Sequence, residues 1–84
     1  MEKPIPEQIV GICLDVVEMD ASEIGLDDEF SSFAHIDSLK ALDLMTALER
    51  HFGIKLPERE LREFQTINKV IASVERHLPQ AVAS

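Results

Sequence analysis

The sequence predicts an all-α fold, a small four-helix bundle with a long first loop and a short third helix. Three observations carry that expectation. Apolar residues recur at helical spacing in several stretches, residues that start and stop helices stand at the ends of those stretches, and one aperiodic segment, 20–36, separates the first stretch from the rest. With 84 residues the chain is expected to form a single domain, 1–84, too small to enclose a substrate cleft and a catalytic apparatus with comfort.

The first helix is expected over about 5–19. From Ile5, the residues Ile9, Ile12, Val16 and Met19 follow at helical spacing, Pro6 is tolerated near the start, and Cys13 falls on the flank as a small packing residue. Residues 20–36, "DASEIGLDDEFSSFAHI", are rich in Asp, Ser and Gly and form a loop, with Ile24, Leu26, Phe30 and Phe33 as its pins to the core. The second helix is expected over 37–52, with Ala41, Leu44, Met45, Leu48 and Phe52 as the inward stripe and Gly53 ending it in a left-handed conformation. "IKLP" crosses over extended, and "ERELREF" makes a short third helix over 58–64 with Leu61 and Phe64 inward. The last helix is expected over 67–78. Thr66 caps it, Ile67, Val70, Ile71, Val74 and Leu78 repeat the stripe, Pro79 stops it, and 79–84 is a frayed tail.

Composition removes several function classes. The net charge of −8 is unevenly placed: residues 1–30 hold nine acids against Lys3 alone, and residues 31–84 hold seven of each sign. A nucleic-acid partner would call for a basic stripe, and none exists. No apolar run is long enough to span a bilayer, and "EKPIPEQ" after Met1 is not a signal peptide. A single cysteine permits no intrachain disulfide, so a cytoplasmic location is expected. The acid-rich loop lacks the alternating ligands, central glycine and closing glutamate of an EF-hand, and no metal site is expected.

The stretch "HIDSLKALDL", 35–44, carries the chemistry. His35, Asp37 and Ser38 are the residue types of a hydrolase, yet residues so close along a chain entering a helix do not assemble a triad, and there is no G-x-S-x-G elbow. Asp37 is instead an N-cap and Ser38 the next position. Leu39 is what a cap does not explain. At about 100° per residue it falls opposite the core stripe, among Asp43, Thr46, Ala47 and Arg50, with Leu42 between the two faces.

In this pattern the chain resembles an acyl carrier protein, a family marked by Asp-Ser-Leu at the start of its second helix. The resemblance runs ungapped from Phe30 to about Val74: after "DSL" come "LDL" at 42–44, "ALE" at 47–49, Phe52, "GIKLP", and Thr66 with Ile67. It implies that Ser38 carries 4′-phosphopantetheine, transferred from coenzyme A by a separate phosphopantetheinyl transferase, and that the chain itself has no catalytic residue. A phosphodiester in a first helical turn would sit at the positive end of the helix dipole, near unpaired amides. Acyl groups would ride on the arm as thioesters between acyl-transferring, condensing or ligating enzymes of fatty-acid, polyketide or related lipid biosynthesis, on a chain that acts as a monomer. Partner recognition is assigned to Asp37, Leu39, Lys40, Leu42, Asp43, Thr46, Glu49 and Arg50, and lining of the acyl chain to Ala34, Leu44, Leu61 and Ile67.

The departures point to a specialised carrier. His35 stands where the family has glycine, Thr46 where it often has an exposed methionine, and Lys40, Arg50 and His51 interrupt a helix that is strongly acidic in fatty-acid carriers. An aminoacyl or peptidyl carrier, or a helical interaction domain without a prosthetic group, are the alternative readings.

Overall fold

The computed structural model describes residues 3–78, so the tail at 79–84 with its Pro79 stop lies outside the described residues. Helix α1 spans Ile5–Val17, α2 Ser38–Phe52 and α3 Ile67–His77; short 3-10 segments lie at Phe30–Ser32 and Glu58–Glu63. Helix α1 packs against α2 and α3, and the second 3-10 segment also packs against α2 and α3.

Helix α1 is shorter than the expected 5–19. Glu18 adopts a left-handed conformation (φ 59°, ψ 47°), and the Met19 amide folds back onto the Leu14 carbonyl at 3.1 Å. That bond satisfies a carbonyl the helix would otherwise leave unpaired. The innermost line of α1 is Ile9, Cys13 and Val17, while Ile12, Val16 and Met19 are half-buried beside it. Cys13 is therefore central, not flanking, because the buried face follows the i, i+4 line through Ile9.

The long loop is pinned partly by its backbone. Ile24 and Phe30 are buried and Phe33 half-buried, but Leu26 is 46% exposed. Its carbonyl instead accepts from the Asn68 amide at 3.0 Å, Asp27 Oδ1 accepts from Asn68 Nδ2 at 2.8 Å, and the Phe30 amide donates to the Gln65 carbonyl at 2.8 Å. The loop lies along the start of α3, where helix amides need acceptors, so residue 26 contributes a carbonyl where a side-chain anchor was expected.

Helix α2 begins at the Asp37 cap and ends at Gly53 (φ 65°, ψ 39°). Leu44, Met45 and Leu48 are buried, with Ala41 and Phe52 half-buried at the edges of the stripe. The short third helix is a 3-10 segment with Leu61 half-buried and a charged residue, Glu60, buried, and Phe64 directly after it is buried too. Thr66 caps α3 by accepting from the Lys69 amide at 3.1 Å. This helix stops at His77, one residue short of the expected end, because Leu78 is already extended.

Candidate functional site

Ser38 is the first residue of α2 and is exposed. Asp37 holds the corner: its Oδ1 accepts from the Lys40 amide at 3.1 Å and its carbonyl from the Ala41 amide at 3.2 Å. Among the described residues, the amides of Ser38 and Leu39 and the Ser38 hydroxyl have no intramolecular partner. Two free donors at a helix start beside a free hydroxyl suit a negatively charged substituent.

A cavity of about 340 Å³ opens beside this corner, between α2, the end of α1 and the two 3-10 segments. Its apolar walls are Val17, Phe30, Ile36, Leu44, Leu61 and Phe64, and Asp37, Ser38 and Lys40 stand at its edge. Of the lining residues expected from sequence, the structure places Leu44 and Leu61 there. Ala34 is exposed outside it and Ile67 is buried in the main core. Val17, Phe30, Ile36 and Phe64 were not singled out as lining. The readable signal was weak: two of the four phenylalanines, and a valine whose role depends on the phase of α1.

The outer face of α2 is mixed. Leu39 is 68% exposed and Leu42 41% exposed, and Asp43, Thr46 and Arg50 are exposed along the same face. Lys40 is half-buried, and its Nζ approaches Glu18 Oε2 at 3.9 Å across the cavity mouth. Glu49 is engaged internally: its Oε2 accepts from the Leu56 amide at 2.7 Å and fixes the crossover after α2. His35, in the loop before α2, ties that loop to the end of α1. Its Nε2 lies 3.0 Å from the Val17 carbonyl, so that nitrogen carries the proton and donates.

No helix among the described residues is long and apolar enough to cross a membrane. The arrangement is a corner that presents a hydroxyl, donors for an anion, and an apolar recess within reach. The family of the phosphopantetheine attachment site matches residues 7–74. The chain is 29% identical over 69 residues to the acyl carrier protein of Helicobacter hepaticus, covering 82% of this chain and 91% of that one. It is 31% identical over 72 residues to the acyl carrier protein of Phytoplasma australiense, covering 86% and 95%. It is 33% identical over 61 residues to polyketide-8 synthase acyl carrier protein 2 of Streptomyces avermitilis, covering 73% and 70%. With a match over most of its length and a site of fitting shape, the chain belongs to the acyl carrier protein family, whose covalent cofactor is 4′-phosphopantetheine.

Proposed function

We propose that Ser38 is the attachment point of the arm and that the chain delivers acyl groups to successive enzymes of fatty-acid, polyketide or related lipid biosynthesis. The single observation behind this reading is the exposed Ser38 hydroxyl at the start of α2, beside free amides and at the edge of the cavity. When bound, the arm supplies a thiol on which acyl groups are held as thioesters.

The chain's own residues do the rest. Asp37 fixes the corner so that the hydroxyl faces outward, where a phosphopantetheinyl transferase can reach it. The amides of Ser38 and Leu39 and the Lys40 ammonium offer positive potential for the phosphodiester. The recess bounded by Val17, Leu44, Leu61 and Phe64 shelters an apolar chain from water. The exposed Leu39, Leu42, Thr46 and Arg50, together with Asp37, Lys40 and Asp43, form the face that partner enzymes read. Glu49 contributes to that face by holding the crossover, not by contact. The mixed charge of the face supports a specialised carrier, acting as a monomer.

The test is an intact mass. Wild type and Ser38→Ala are incubated with coenzyme A and a phosphopantetheinyl transferase, and only wild type should gain the arm. A mass gain in the alanine variant sinks the assignment of Ser38.

A further inference from the structure

Glu60 is the one carboxylate buried among the described residues, 8% exposed, and acyl carriage makes no direct use of it. It sits in the middle of the 3-10 segment Glu58–Glu63. Ser73 Oγ donates to Glu60 Oε1 at 2.6 Å, and Arg76 Nη2 donates to the same oxygen at 2.7 Å. His77 Nδ1 in turn donates to the Ser73 carbonyl at 2.8 Å. Both partners of Glu60 belong to α3, so the carboxylate fastens the segment to that helix.

The fastening matters because the segment cannot hold itself. A 3-10 helix has poor hydrogen-bond geometry, and one of six residues is longer than such runs usually sustain by themselves. The buried residues on either side of it, Leu56 two positions before and Phe64 directly after, are anchored in the core, which leaves Glu60 to fix the middle. Leu61 is the next residue, and Leu61 and Phe64 form one wall of the cavity beside Ser38. Ser73 and Arg76 do not line the cavity. Loosening their bonds to Glu60 would move the wall without changing a single lining side chain.

We infer that Glu60, held by Ser73 and Arg76, is a latch that keeps the Leu61–Phe64 wall closed over an apolar acyl chain, and so governs how well the carrier shelters long cargo. The inference rests on attachment of the arm at Ser38. Glu60 is a positioning residue: it touches no cargo, and acts through Leu61.

Two variants test it, Ser73→Ala and Glu60→Gln, the second keeping size and an acceptor should the first fold poorly. In the apo protein, amide exchange over 58–64 should rise about tenfold relative to exchange in α1, the loss expected when a charge-assisted bond is weakened. In the acylated protein, cleavage of a decanoyl thioester by hydroxylamine should quicken about tenfold, while an acetyl thioester, too short to use the recess, keeps its wild-type rate. Exchange that rises over 58–64 only in step with α1 overturns the latch, and so do decanoyl and acetyl rates that change together. If Ser38→Ala still accepts the arm, the attachment reading falls, while the exchange measurement on the apo protein still judges the latch.

Discussion

Cys13 is fully buried in the middle of the core face of α1, and burial pushes its thiol up to about 12. The thiolate is the reactive form, so this sulfur is inert near neutral pH. Folded apo protein should resist iodoacetamide and become alkylated only as urea unfolds it; full alkylation of the native chain, read by intact mass, would contradict the packing. Glu60 behaves oppositely. The hydrogen bond from Ser73 draws its carboxyl below the usual carboxylate range, helped by the charge and hydrogen bond of Arg76 and by His77, against burial, which pushes it up. A lowered folded value means that its contribution to stability is complete above the unfolded value near 4.5 and fades as pH falls through the folded one. Urea melts of wild type and Glu60→Gln should therefore differ at neutral pH and converge in acid. A difference that persists unchanged in acid would show that the carboxylate charge contributes nothing. The packing role of Cys13 was readable in the chain, but its central place and the role of Glu60 were not. Whether Cys13 is central or flanking depends on a small rotation of α1, and Glu60 looks like any surface acid until Ser73, thirteen residues on, is brought beside it.

Helix α2 has a buried core face and an exposed outer face. Leu48 is fully buried and Leu39 is 68% exposed on the same helix. Leu48→Ala should cost about 2–5 kcal/mol, a large share of a small domain's margin, because it removes apolar contacts and leaves a cavity. Leu39→Ala should cost far less, and a urea melt that ranked them the other way would put the helix in a different phase. This element was legible because every local signal agreed: the Asp37 cap, the stripe at helical spacing and Gly53 at φ 65°. The long loop was legible only in part. Periodicity finds side chains that point inward, but Leu26 is held through its carbonyl, and hydrogen bonds between backbone groups leave no mark on residue type. For the same reason the corner at Ser38 could be read from the chain, while the recess beside it could not. The corner is built from consecutive residues, whereas the recess is assembled from four separate elements.

Across the whole molecule, charge is divided between an acidic α1 and loop and a nearly neutral remainder. Part of the acidity serves the loop itself: Asp28 Oδ2 accepts from the Gly25 amide at 2.8 Å and Glu23 Oε1 from the Asp20 amide at 2.7 Å. The face around Ser38 is different. Along the outer face of α2, Lys40 lies near Ser38 and Arg50 in the last turn, with Asp43 between them, so a strongly basic partner patch, of the kind that docks on acidic second helices, would meet like charges there. Complementary charge chiefly sets encounter rate and discrimination, and a misplaced like charge is an effective means of rejecting the wrong enzyme. Enzymes that serve acidic fatty-acid carriers should accordingly turn this chain over poorly, and Lys40→Glu with Arg50→Glu should improve transfer, by a margin that shrinks as salt is raised. If the two bases instead only paired with acids on their own helix, each pair would contribute a few tenths of a kcal/mol and docking would not notice them. The geometry separates the two residues. Lys40 reaches Glu18 on α1 at 3.9 Å, whereas Arg50 forms no ion pair among the described residues. Arg50→Glu alone should thus give a gain without disturbing the cavity mouth, and the double variant should add to it. Rates of malonyl transfer onto the holo forms at low and high ionic strength decide the matter: equal rates for wild type and both variants would leave Lys40 and Arg50 as a solvated face with no part in partner choice.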